Sequence, residues 1–173
     1  DIVKGEKLNY GNIHFNDVAN GDGVRVCLFV SGCRNHCKGC FSQQTWDFNY
    51  GKEFTYIEEN EIIEACKKPY IAGLTILGGD PFEKENQLAL SAFTKKFKQE
   101  CPNKTLWMYT GYSYDKDLKQ VQRQYIHGVT NSILDRVDVL VDRPFILEQR
   151  NITLKFRGSS NQRILTKNDR LKL

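Results

Sequence analysis

The segment Arg25-Val-Cys-Leu-Phe-Val30 runs straight into Ser31-Gly-Cys33-Arg-Asn-His-Cys37-Lys-Gly-Cys40-Phe41. An unbroken apolar run from Val26 to Val30, preceded by the turn-forming Asn20-Gly-Asp-Gly23, predicts a buried strand. Three cysteines spaced Cys-x3-Cys-x2-Cys follow at once. Positions 33, 37 and 40 would share one face of a helix, but Gly32, Gly39 and the polar Arg34-Asn-His36 insert make that helix poor. A loop at the end of the strand is the better reading. Three thiolates this close repel one another unless a metal centre takes up their charge, so Cys33, Cys37 and Cys40 are candidate metal ligands.

Outward from this segment, apolar stretches alternate with helical patterns. Residues 74–77, 104–109, 137–141 and 152–156 read as further strands, and 9–16 as an edge strand. Helical spacing of apolar residues appears over 58–68 (Ile62, Ala65, Cys66), over 85–99 (Leu90, Phe93, Phe97) and over 115–124. Strand and helix in alternation predict an α/β fold with mostly parallel strands and covering helices. The 173 residues suit a single domain over 1–173, with no internal repeat or linker to divide it. A closed eight-unit barrel typically needs about 250 residues, so a barrel-like arrangement here is expected to be partial and open.

The formal charge of +4 is too small to imply nucleic-acid binding. Its distribution is uneven: residues 155–173 hold six bases (Lys155, Arg157, Arg163, Lys167, Arg170, Lys172) and one acid, Asp169. Charge alone favours a solvated surface there, with docking of an acidic partner as the sharper alternative. No apolar run approaches the roughly 20 residues that span a bilayer. The N-terminus Asp-Ile-Val-Lys-Gly-Glu-Lys lacks the apolar core of a secretory signal, and the chain begins without Met. A cytoplasmic protein is expected, and in a reducing compartment six cysteines point to metal chemistry before disulfides. Cys27 and Cys66 lie in apolar patterns and read as core; Cys101, before Pro102, reads as incidental. Trp46 and Phe48 read as aromatic core or as a shield over a metal centre.

Structural zinc takes four protein ligands. Here His14 or His127 could complete a Cys3His site through the tertiary fold, which would make the chain a non-catalytic module for nucleic acid. Three thiolates without an obvious fourth ligand suggest instead an iron-sulfur cluster with one iron open to another molecule.

The Cys-x3-Cys-x2-Cys loop after the first strand resembles the radical S-adenosylmethionine (SAM) signature, although many members carry an aromatic where this chain has Gly39. The order of Gly23-Val-Arg-Val-Cys-Leu-Phe-Val-Ser-Gly-Cys33, Trp46-Asp-Phe48, Gly78-Gly-Asp-Pro81, Tyr109-Thr-Gly-Tyr112, Val141-Asp-Arg-Pro-Phe145 and Phe156-Arg-Gly-Ser-Ser-Asn-Gln-Arg163 is similar to the activating proteins of the anaerobic (class III) ribonucleoside-triphosphate reductase. The resemblance implies a partial open (β/α) barrel of the radical SAM type and a [4Fe-4S] cluster on Cys33, Cys37 and Cys40. The fourth iron would be chelated by SAM. Reductive cleavage would give methionine and a 5′-deoxyadenosyl radical, which takes a hydrogen atom from a glycine of the reductase. A flavodoxin-like or ferredoxin-like protein would supply the electron. Activation of another glycyl-radical enzyme is the rival within the same class.

Gly78 and Gly79 end a predicted strand and leave room for a ligand against the backbone, and the Asp80 carboxylate suits the SAM ammonium. Related enzymes often have Glu there. Thr110 and Asp142, at the ends of later strands, are candidates for the ribose or carboxylate, and Tyr112 for the adenine. The resemblance places Gly39, Cys40 and Phe41 beside the adenine. Arg157 and Arg163 are expected to help dock the reductase.

Overall fold

The computed structural model describes residues 7–173; residues 1–6, read above for a secretory signal, lie outside that range. Seven strands form one sheet: β1 (Asn9–Asp17), β2 (Val24–Val30), β3 (Lys52–Glu53), β4 (Ile71–Gly78), β5 (Thr105–Tyr109), β6 (Val139–Asp142) and β7 (Arg163–Thr166). Their order is β3-β1-β2-β4-β5-β6-β7. The four central strands, β2, β4, β5 and β6, are mutually parallel. β1 runs antiparallel to β2 and β3, and β7 antiparallel to β6. The sheet is open, with β3 and β7 as its edges.

The parallel centre explains the uninterrupted apolar strands. In β2, Val26, Cys27, Leu28 and Val30 are all buried, as a strand covered on both faces requires. Helix α1 (Tyr56–Cys66) packs on β2 and β4. It opens on a capping box in which Thr55 and Glu58 each satisfy the other's backbone N–H. Helix α2 (Lys84–Glu100) buries Leu90, Phe93, Thr94 and Phe97 and packs on α3 (Thr130–Arg136). A last short helix, α4 (Lys167–Leu171), follows β7.

Arg25, only 1% exposed, bolts three strands together at the end of β2 away from the cysteine loop. Its N–H groups donate to Thr75 Oγ1 (2.8 Å), Thr105 Oγ1 (2.9 Å) and the carbonyls of Asp22, Leu74 and Thr105. Every donor of this buried cation is therefore satisfied without a carboxylate.

Two expected elements differ. Residues 152–156 form an irregular loop, because Asn151 Oδ1 accepts from Thr153 N (2.9 Å), an Asx turn that breaks extension, and β7 occupies the edge of β6. The helix expected over 115–124 shrinks to one turn, Tyr114–Leu118. Side chains take its backbone partners: Asp117 accepts from Ser113 N, and Gln122 bonds Lys119 N and the Asp115 carbonyl. The expected edge strand at 9–16 is present as β1 but lies inside the sheet, flanked by β3.

Candidate functional site

Adjacent parallel strands lie about 4.8 Å apart, so the ends of β2, β4, β5 and β6 bring four loops onto one rim. These carry Cys33 to Cys40, Gly78 to Asp80, Thr110 to Tyr112 and Arg143 to Phe145. A single cavity opens there. Its walls include Cys33, Asn35, Cys37, Cys40 and Phe41 from the loop after β2, Trp46, Gly78, Gly79 and Asp80, Thr110 and Gly111, and Arg143, Phe145, Gly158 and Gln162.

The cysteine loop is strapped on both sides. Gly32 N donates to Thr45 O (2.6 Å) and Cys33 N to Trp46 O (3.2 Å), while Asp80 N donates to Gly32 O and Gly79 N to Val30 O (both 2.7 Å). Gly78 and Gly79 make this approach possible: a Cβ on Gly79 would lie 2.6 Å from Gly32 O, and one on Gly78 2.6 Å from Val30 O. The missing side chains therefore first admit the backbone of the cysteine loop. Arg34 clamps the loop from outside, pairing with Glu83 and Glu85 and lying 4.6 Å over the Phe48 ring. The buried Glu83 carboxylate also accepts from Arg34 N and from Tyr112 Oη (2.7 Å).

Asp80 is fully buried and collects four donors: Phe82 N (3.0 Å) and Thr110 Oγ1 (2.7 Å) on one oxygen, Gly111 N (2.8 Å) and Asn35 Nδ2 (3.1 Å) on the other. Burial pushes its carboxyl up to about 7 against the pull of those hydrogen bonds. Among the described residues it has no cationic partner. The site thus presents a carboxylate that a cation entering the cavity would stabilise.

All six cysteines are free thiols. Burial pushes Cys33 up to about 12 and also raises Cys37, so these groups need a neighbouring positive charge to become thiolates. Among the described residues no three His, Cys, Asp or Glu side chains converge as a single ion requires. His14 packs tilted against Phe29 and its ring nitrogens meet Asn12 and Asp17, His36 stacks on Trp46, and His127 is exposed in the loop before α3. None supplies the fourth corner of a zinc tetrahedron. Three thiols around one cavity, facing glycines and a carboxylate, fit a multinuclear cluster, whose irons each need a different thiolate.

A family model described as a 4Fe-4S single cluster domain matches residues 19–165. The anaerobic ribonucleoside-triphosphate reductase-activating protein of Haemophilus influenzae is 42% identical over 157 residues, which cover 90% of this chain and 96% of that protein. Its namesakes in Escherichia coli K12 and Enterobacteria phage T4 are each 36% identical, over 90% and 94% of this chain and 96% of their own lengths. The chain belongs to the family of anaerobic ribonucleoside-triphosphate reductase-activating proteins. Its members are enzyme activases, and the matched domain is an iron-sulfur one.

Within this activating protein the cavity gathers Cys33, Cys37, Cys40, Phe41, Gly78, Gly79, Asp80 and Thr110. Phe41 stands at the mouth, 74% exposed, near Phe145 and beneath Arg150. Four expected residues sit elsewhere. Gly39 turns toward Leu147, outside the cavity wall. Tyr112 is buried behind it, spent on Glu83. The Asp142 carboxylate lies off the cavity wall, paired with Arg163 Nε and Nη2 (3.0 and 2.6 Å) and with Tyr114 N (2.8 Å). Arg163 is correspondingly no free docking cation, since it also pairs with Asp115 at 2.7 Å.

The basic C-terminal segment is largely used inside the molecule. Arg170 caps the end of α3 by donating to the Leu134 and Val137 carbonyls, Lys167 faces Asp138, and Arg157 donates to Gln162 O (2.6 Å). Residues 158–162 instead form a tight turn that leads into β7. Gln162 Oε1 accepts from Gly158 N (2.8 Å) and Ser159 N (3.1 Å), and its Nε2 donates to Arg143 O (3.1 Å). Gly158 and Gln162 thereby become cavity wall. Sequence reasoning missed Asn35, Arg143, Phe145 and Gln162. The strand-edge argument that selected Asp142 applies equally to Arg143, and Gln162 stood in the quoted block 156–163 without a role of its own.

Proposed function

We propose that this activating protein installs a glycyl radical on the anaerobic ribonucleoside-triphosphate reductase by reductive cleavage of SAM at a [4Fe-4S] cluster on Cys33, Cys37 and Cys40. The observation that carries the reading is the shared cavity: three free thiols, two glycines and a cation-seeking carboxylate at the ends of parallel strands. When bound, the cluster and SAM supply the chemistry, one electron into the sulfonium giving methionine and a 5′-deoxyadenosyl radical that takes hydrogen from a glycine.

The chain's own residues position and enclose. Asp80 takes the SAM ammonium by a charge-assisted hydrogen bond, the ammonium replacing Asn35 Nδ2, the longest of its four donors. Thr110 fixes the Asp80 carboxylate, and Gly78 and Gly79 bring the cysteine loop close to that anchor. Arg143 lines the same cavity and has no carboxylate partner among the described residues, which suits the SAM carboxylate. Phe41 borders the adenine from the mouth. Tyr112 and Asp142 act one layer back, holding Glu83 and Arg163. No side chain is required as general acid or base, because hydrogen transfers as an atom between carbons. We read the open sheet as the partial barrel of the radical SAM type, whose unclosed side admits the reductase's glycine loop. A cytoplasmic setting and a flavodoxin-like or ferredoxin-like donor belong to the same proposal.

The test is anaerobic incubation of the iron- and sulfide-loaded protein with SAM, a reductant and the reductase. A glycyl-radical doublet in the EPR spectrum of the reductase is expected. Efficient SAM cleavage with no such doublet would redirect the reading to another glycyl-radical enzyme.

A further inference from the structure

Among the described residues, one buried side-chain nitrogen or oxygen has no hydrogen-bond partner: Nε1 of Trp46. A buried donor left unpaired costs about 1–3 kcal/mol, so such exceptions call for a partner that the protein atoms do not supply. The position of this tryptophan narrows the chemistry of that partner. Its carbonyl accepts from Cys33 N, and its indole stacks on His36 with ring centroids 4.3 Å apart and planes 14° from parallel. Trp46 lines the same cavity as the three thiols. Trp46 is therefore fixed by its backbone to the first cysteine and by its ring to the neighbour of the second. Indole N–H donates only, so the missing partner is an acceptor.

We propose that Trp46 Nε1–H donates a hydrogen bond to a sulfur of the bound cluster, either a ligating thiolate or an inorganic sulfide, and so eases its reduction. This inference rests on the cluster reading above. Reduction adds negative charge to the sulfurs, and a fixed donor stabilises the reduced form more than the oxidised one. Hydrogen bonds to sulfur are one of the levers that set such potentials. The stack on His36 restricts the ring, so the donor is held in place in both redox states. Trp46 is thus a tuning residue, and Cys33, Cys37 and Cys40 alone bind iron.

Trp46→Phe keeps an aromatic ring on His36 and deletes the N–H. In the anaerobically loaded protein, iron and sulfide content should match the parent. At a fixed poise the reduced-to-oxidised ratio of the cluster, read by EPR, should fall about tenfold, which for a one-electron couple is about 59 mV. If the variant fails to load, the parent protein carries the test. Only two tryptophans are present, Trp46 and Trp107, so indole-15N labelling of the parent and of Trp107→Phe should give the same 15N coupling to the reduced cluster. An unchanged ratio in a loaded Trp46→Phe variant, or no 15N coupling in the loaded parent, would overturn the inference and leave the cluster reading intact. A parent that takes up no iron and sulfide would overturn both.

Discussion

Asp80 holds a carboxylate where water cannot reach it, and its four hydrogen bonds do not fully offset that burial. The ordinary value near 3.8 belongs to the unfolded chain, whereas the folded value is raised to about 7. Between those limits the folded protein keeps a proton that the unfolded chain has lost. Without a cation beside Asp80, stability should therefore fall as pH rises from about 4 to about 7. Asp80→Asn should flatten that part of the profile in denaturant titrations, and in the loaded protein it should weaken SAM binding roughly tenfold or more. Equal SAM affinity in the two proteins would remove the carboxylate from cofactor binding. The Gly78-Gly-Asp80 block was legible because the glycines and the acid stand together at a strand end. The role of Asn35 was not, since its bond to Asp80 crosses 45 residues of sequence.

At the level of elements, the strands and helices with uninterrupted apolar faces were legible: β2, β4, β5, α1 and α2 lie close to their expected positions. The misreadings cluster after residue 110, where short side chains compete for the backbone. Asn151 turns the expected strand at 152–156, and Asp117 and Gln122 unwind the expected helix at 115–124. There the order comes from long-range ion pairs that composition reads only as charge. Arg163 joins β7 to Asp142 at the end of β6 and to Asp115 in the single turn after β5. Its guanidinium holds the Asp115 carboxyl down to about 2. A carboxyl lowered in the folded state stabilises above its ordinary value near 3.8, and that contribution is lost as pH falls toward about 2. Arg163→Gln should therefore lower the melting temperature at pH 7, with the deficit shrinking below about pH 4. It should also impair SAM binding, through the Asp142–Arg143 segment that borders the cavity. A variant of native stability that is selectively defective in reductase activation would restore Arg163 to a docking role.

Taken whole, the molecule is a sheet with two differently used ends. Arg25 locks the strands at one end with neutral acceptors, and the other end carries the thiols, the glycines and Asp80. The cavity mouth on that end lies beside the exposed Phe41. No helix in the described residues is long and apolar enough to cross a membrane. The six cysteines divide by location. Cys27, Cys66 and Cys101 are buried away from the cavity, so Cys66→Ala should cost about 1 kcal/mol of stability and leave iron loading unchanged. The most direct measurement is iron, sulfide and 5′-deoxyadenosine in one anaerobic experiment on the protein reconstituted with iron and sulfide, then given reductant and SAM. Close to four irons and four sulfides per chain are expected, with 5′-deoxyadenosine formed, and loss of both in Cys33→Ala, Cys37→Ala and Cys40→Ala. Bound zinc without sulfide, or 5′-deoxyadenosine still formed after loss of any of the three cysteines, would rule out a cluster on Cys33, Cys37 and Cys40 as the site of SAM cleavage.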